Sequence, residues 1–263
     1  MDESLNQNHV VEMNAFQKCI NIFFSPKQTH QSIERRSDLA LPLILIAIMA
    51  IIVSLVTVHL QMTDDTIKRD MENAQIKMFK KMGMSDQQIS EALEKGQAMG
   101  SPILKYGGAI FSSIIITAIF VMLTTFILWV LGNWILKNKV GFDKMLAVFA
   151  YSGLIKYVGG LLTIPLIIMQ KDLKAGFHLA NILEISGGND FLSTFFYSIA
   201  MNISLFDIWT LIVLAIGMAV IYKSVTAKAG IIVFSVWAFF VLLFAVGMAA
   251  ITSLIGFNPL MMS

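Results

Sequence analysis

Five long apolar runs limit what this chain can fold into more than any other feature: residues 39–60, 106–136, 145–169, 205–222 and 229–255. Three lack Asp, Glu, Lys and Arg altogether, and the other two carry one charge each, Lys156 and Asp207. About twenty apolar residues suffice for a helix to cross a hydrocarbon core roughly 30 Å thick. Inside that core every backbone N–H and C=O must be satisfied without water, and a helix satisfies its own. Charged residues make up 14% of the chain and hydrophobic ones 57%, against about a quarter charged in soluble domains. The reading is an all-α polytopic membrane helix bundle with about five transmembrane helices and lipid as its main solvent.

The lead-in region 1–38 is read as cytoplasmic amphipathic helices. Met13, Phe16, Ile20 and Phe23 recur at three- and four-residue spacing, which places them on one face of a helix over 10–24. Ser25-Pro26 fits an N-cap and a first-turn proline, with Gln28 in the capping-box position of a second helix to about Arg36. The plain reading of the apolar face is packing on the protein itself. The sharper one is a helix lying in the membrane surface, which makes Phe16, Ile20 and Phe23 candidate contact residues. The opening MDESLNQNHVVEMN has three acids and no early basic segment, so no cleaved signal peptide is expected. One cysteine, Cys19, excludes an internal disulfide or a cysteine-based metal cluster.

Residues 61–105 hold seven basic and seven acidic side chains and read as an extracytoplasmic helical hairpin after the first span. Ile67, Met71, Ala74, Met78 and Met82 follow the helical period, and Asp64–Lys68 and Asp65–Arg69 are spaced as i,i+4 ion pairs. Gly83 suits a helix C-cap, and Ser85 with Gln88 suits a capping box for a second helix through about Met99. The methionine stripe reads first as the seam between the two helices. Its second reading is a partner-binding face, with Met71 and Met78 as candidate contacts, because methionine adapts to varied surfaces.

Residues 106–136 exceed one perpendicular crossing, so this span tilts or projects. The span 145–169 is interrupted by Gly153, Gly159, Gly160 and Pro165, small residues that let neighbouring helices approach. Segment 170–204 is expected outside, with Phe191, Phe195 and Ile199 on one stripe of an interfacial helix. Short loops near the membrane set topology more than long domains do. Leaving out the charge-balanced hairpin, the inside carries nine basic residues (four in 1–38, three in 137–144, two in 223–228) and the outside two in 170–204. The N-terminus is therefore expected inside and the C-terminus outside.

Intramembrane catalysis needs paired acids, a serine with a base, or a metal site, and none of these stands out. The four histidines, His9, His30, His59 and His178, are scattered, and the chain has no HExxH, GxSxG, Walker A or GxGxxG motif. A non-enzymatic protein without cofactor or metal is expected. A near-neutral charge of +2 gives no basic footprint for nucleic acid. Two polar residues at membrane depth are candidate functional positions. A lysine at the middle of a span costs about 2.5–3.5 kcal/mol on insertion scales, so Lys156 lines a polar path, or else snorkels or bonds to Ser112, Ser113 or Thr117. Asp207 follows Ser204 by three residues, as in a capping box at the start of the fourth span.

Three stretches together resemble the Yip1-domain family. They are FFSPKQTHQSIERRSDLALPLIL, FDKMLAVFAYSGLIKYVGGLL with Ala150-Tyr151-Ser152, and SLFDIWTLIVLAIGMAVIYKSVTAKAGIIVFSVWAFF with Phe206-Asp207-Ile208-Trp209, Gly217 and Trp237. The likeness covers most of 17–255. It implies a five-helix bundle with a cytosolic N-terminus. In the eukaryotic relatives it also implies Rab-type small GTPases and vesicle traffic, so a small GTPase is a partner only for a eukaryotic-like chain. The long hairpin and short tail look like those of a bacterial member in the cytoplasmic membrane.

The expected function is a scaffold or adaptor for other membrane proteins, in homo- or hetero-oligomers, serving membrane organisation or trafficking. The alternative is a transporter, channel or accessory subunit of an export complex, using a polar path near Lys156.

Overall fold

A computed structural model describes residues 12–98, 101–255 and 260. The start of the lead-in with His9, Met99 at the expected end of the hairpin, and most of the uncharged tail lie outside the described residues. Helices account for nearly all regular structure: α1 (Ala15–Asn21), α2 (Pro26–Arg35), α3 (Ala40–Thr63), α4 (Asp65–Lys81), α5 (Asp86–Ala98), α6 (Pro102–Ile135), α7 (Phe142–Gln170), α8 (Leu179–Ile182), α9 (Phe191–Met201), α10 (Leu205–Ile221) and α11 (Thr226–Ile255). The chain is an all-α polytopic membrane protein. Four helices, α3, α6, α7 and α11, are long and apolar enough to cross a bilayer, and α9 and α10 are shorter apolar helices. Isoleucine, leucine and phenylalanine side chains such as Phe111, Ile116 and Phe126 on α6, or Phe239 and Leu243 on α11, stand exposed. Water would penalise that surface, whereas acyl chains match it.

One compact unit comprises Met1–Ile46, Ala118–Lys156 and Trp209–Ser235. Its centre is the first half of α7, where Met145, Ala147, Val148, Ala150, Tyr151 and Ile155 have no exposed surface. Ile22 and Ile33 of the lead-in, Leu128 of α6 and Met218 of α10 are further large, fully buried side chains of this unit. The turn between α6 and α7 is stitched by side chains. Trp129 Nε1 donates to the Val140 carbonyl at 2.7 Å, Asn133 takes the Val140 amide at 2.9 Å, and Asn138 donates to the Tyr222 carbonyl. At Gly132 a Cβ would lie 2.5 Å from the Tyr222 ring, so only glycine lets that ring lie against α6.

The other unit comprises Ala47–Thr117, Tyr157–Ile208 and Val236–Ser263. In it α7 continues as a helix through Gly159, Gly160 and Pro165, so the small residues do not interrupt it. They admit neighbours instead. A Cβ on Gly159 would sit 2.4 Å from the Phe206 ring, and Gly160 faces Val53. The start of α10 is pinned by a single antiparallel bridge, His178 to Ser204, with Leu179 N donating to the Ile203 carbonyl and Leu205 N to that of Phe177. On α9 the outward residues are Leu192 and Phe196, with Phe191 at the edge, while Tyr197 and Ala200 are buried against Ala180. Phe195 and Ile199 are half-buried.

Candidate functional site

The hairpin α4–α5 is built by local chemistry. Asp64 caps α4, accepting from the amides of Thr66 at 2.9 Å and Ile67 at 3.2 Å. The Ile67 amide in particular holds the Asp64 carboxyl below the ordinary carboxylate range, and Lys171 at 3.7 Å adds to the effect. The spacing Asp64–Lys68 pointed to an ion pair along the helix; the carboxylate instead faces the helix end and Lys171, because uncapped amides compete more strongly than a solvated lysine. Gly83 ends α4 at φ +80°, and the Met84 amide reaches back to the Phe79 carbonyl at 3.1 Å, which closes a Schellman turn. Ser85 and Gln88 then cap α5 reciprocally, at 2.9 and 3.3 Å.

Within this unit a cleft of about 610 Å³ opens between the end of α3, the hairpin and the start of α6. Met62, Met71, Met78, Phe79 and Leu93 form its apolar lining, and Lys68, Glu72, Gln75 and Lys105 its polar one. Ile67, Ala74 and Ile89 are the buried residues of the hairpin. Met71 and Met78 are half-buried on the cleft wall, and Met82 is exposed. Two ties join α3 to α6 beside the cleft residues: His59 Nδ1 lies 2.9 Å from the Tyr106 hydroxyl, and Ser54 Oγ donates to the Ala109 carbonyl at 3.2 Å. Sequence reading had no signal for either, since each joins helices about fifty residues apart.

The lead-in helices differ from expectation in three ways. Asn14, not foreseen as a cap, forms a capping box with Gln17 at the head of α1. Ser25 makes no side-chain cap bond; its amide donates to Asn21 and its carbonyl accepts the Thr29 hydroxyl. The apolar face of α1 also divides. Met13, Cys19 and Ile22 are buried, whereas Phe16 is 65% exposed and Phe24 is 80% exposed, with Ile20 also outside. Phe23 meets Trp209 edge-to-face at 5.9 Å.

Lys18, Thr29, His30 and Ser32 are all enclosed in this region, and sequence reading gave no role to Lys18 or His30. Lys18 donates to the Arg36 carbonyl at 2.6 Å and to Asp38 at 3.0 Å. Burial works against the Asp38 carboxylate, but Lys18, with Arg36, still holds it below its usual range. His30 lies with Nε2 3.4 Å from Ser152 Oγ, and burial pushes its imidazole down to about 3, against a weaker upward pull from the Val213 backbone.

Lys156 is exposed on α7, its ammonium 5.9 Å from the centroid of the Phe120 ring. Ser112 and Ser113 donate to carbonyls of their own helix, at 3.2 and 2.9 Å. Asp207 takes the Ser204 hydroxyl at 2.8 Å, while its amide donates to Ser204 Oγ at 3.0 Å. Lys156 and the lead-in residues thus belong to the first unit, and Asp207 and the hairpin methionines to the second. Among the described residues no three His, Cys, Asp or Glu side chains are placed to hold a metal ion.

Residues 20–247, most of the chain, match the Yip1 domain. The chain belongs to the Yip1-domain family. No curated protein and no solved structure matches it. The Yip1 domain takes in the hairpin cleft, Lys156, Asp207 and Gly217, and begins at Ile20, within α1. The family and the apolar helices together make this an integral, multi-pass membrane protein.

Proposed function

We propose that this Yip1-domain protein is a non-enzymatic scaffold or adaptor that holds other membrane proteins through the methionine-lined cleft of its hairpin. The observation that carries the reading is the cleft itself: flexible thioethers over an apolar floor, rimmed by Lys68, Glu72 and Lys105, beside the end of a membrane helix. An apolar floor with a polar rim is the anatomy of a protein contact surface, and methionine side chains repack around differing partners. The favoured occupant is an apolar segment of another membrane protein. The N-terminus faces the cytoplasm of a bacterial cell in this reading, nine basic residues against two, and α10 serves as the fourth of five spans. That places the cleft on the outer side.

Crosslinked co-purification from native membranes tests it. A photo-crosslinking residue at Met71 or Met78 should trap a membrane protein, and Met71→Asp with Met78→Asp should abolish the adduct while the protein still folds. Unchanged adducts after hairpin 61–105 is replaced by a short linker would overturn the reading. The alternative, a transporter, channel or export accessory with Lys156 on a polar path, instead predicts lost flux with intact assembly in Lys156→Met.

A further inference from the structure

The lead-in helices touch α10 at three successive heights. Glu34 Oε1 lies 3.9 Å from Lys223 Nζ just beyond the C-terminal end of α10. His30 meets the middle, against Gly217 and the Val213 backbone. Phe23 meets Trp209, one turn from the N-terminal end. From Trp209 to Lys223 is about 21 Å of helical rise. A helix lying flat in the membrane surface crosses its neighbour at one height only. A segment whose residues 34, 30 and 23 pair in order with 223, 217 and 209 runs antiparallel along α10.

We infer that Asn14–Arg36 is a re-entrant helical hairpin that enters the bilayer from one face beside α10, with Phe16, Ile20 and Phe24 taking lipid acyl chains. Its depth follows from those contacts: Glu34 to Pro26 is about 12 Å of helix, and the turn beyond carries Phe23 to Trp209, past the roughly 15 Å of hydrocarbon in one leaflet. Its chemistry fits as well. Most protein-facing polar groups have partners within the unit, Lys18 in Arg36 and Asp38, Thr29 in Ser25, and Ser32 Oγ in the Met13 amide at 3.0 Å, while His30 Nδ1 is buried without a hydrogen bond. The large outward side chains, Phe16, Ile20 and Phe24, are apolar, and Gln17, Lys27 and Gln28 are polar residues exposed beside them. Arg35 and Arg36 stand exposed at the open end, where cations anchor to headgroups. Lys27, exposed near the tip, has a four-carbon stem long enough to carry its ammonium back towards them.

Depth measurement decides the matter. Single cysteines at Phe16, Ile20, Phe24 and Arg36 in a Cys19→Ser background, spin-labelled and reconstituted as the full chain in phosphatidylcholine–phosphatidylglycerol vesicles, report oxygen against aqueous nickel-chelate accessibility. Depth should increase in the order Arg36, Phe16, Ile20, Phe24, with Phe24 well inside the hydrocarbon. Equal depth at Phe16, Ile20 and Phe24 would mean a surface helix, and aqueous accessibility at Phe24 would mean a face meant for a soluble partner; either result sinks the inference. Brominated-lipid quenching of Trp209 is a second measure: removing the hairpin must open Trp209 to acyl-chain bromines, and unchanged quenching counts equally against it.

Discussion

The imidazole of His30 fills the space that a side chain on Gly217 would occupy. A Cβ there would lie 2.6 Å from both Cε1 and Nε2 of the ring, and 2.6 Å from a methyl of Val148. The α10 glycine and the α2 histidine are one packing unit, formed across almost the whole length of the sequence.

Gly217→Val should therefore separate the lead-in from α10. Overpacking of this kind costs about 1–3 kcal/mol, even though valine suits a helix better than glycine does. Thermal unfolding in detergent should show the loss, and limited proteolysis should cut within 12–36 sooner than in the parent. Combining it with His30→Ala should recover part of the loss, since the two residues share one space. Strictly additive effects would show that they do not.

Acid should loosen the same contact. Burial pushes the His30 imidazole from its ordinary 6.5 down to about 3, so between those values the unfolded chain binds a proton that the folded chain refuses. Stability is fully present above about 6.5 and declines as pH falls towards 3, at up to about 1.4 kcal/mol per pH unit. His30→Gln should flatten the slope of melting temperature against pH between 7 and 5. An unchanged slope would assign the acid sensitivity elsewhere.

At the centre of the proposed third span, the Phe120 ring alone does not offset the cost of the Lys156 charge. A cation over a ring contributes about 0.5–2 kcal/mol, less than the roughly 2.5–3.5 kcal/mol that a lysine costs at the centre of a span. Lys156→Met should then raise stability in lipid nanodiscs by about 1 kcal/mol, measured by thermal or chemical unfolding. A drop instead would show that polar contacts of Lys156 hold the bundle together.

Legibility in the sequence followed the distance over which each feature is decided. The apolar runs, the Gly83 turn and the Ser85–Gln88 cap are settled by residues within a few positions of one another, and each could be read directly. At Asp64 the neighbours were right and the partner wrong, because Lys171 and the helix-end amides compete with Lys68. The division of α1 into an inner face of Met13, Cys19 and Ile22 and an outer face of Phe16 and Ile20 could not be read, since both sets are apolar and only tertiary packing tells them apart. Lys18 was the hardest. A charge surrounded by apolar residues reads as solvent-facing until Asp38, twenty positions on, is seen beside it.

Helix α10 has seventeen residues, Leu205–Ile221, about 25 Å of rise against a hydrocarbon core of roughly 30 Å. As the fourth span proposed above, a helix so short sits without strain only where the bilayer is thin or is pinched around it. Such a mismatch biases a protein towards thinner regions and towards others that deform the membrane in the same way. In that proposed role, the length of one helix biases where in a cell membrane this protein gathers, and in whose company.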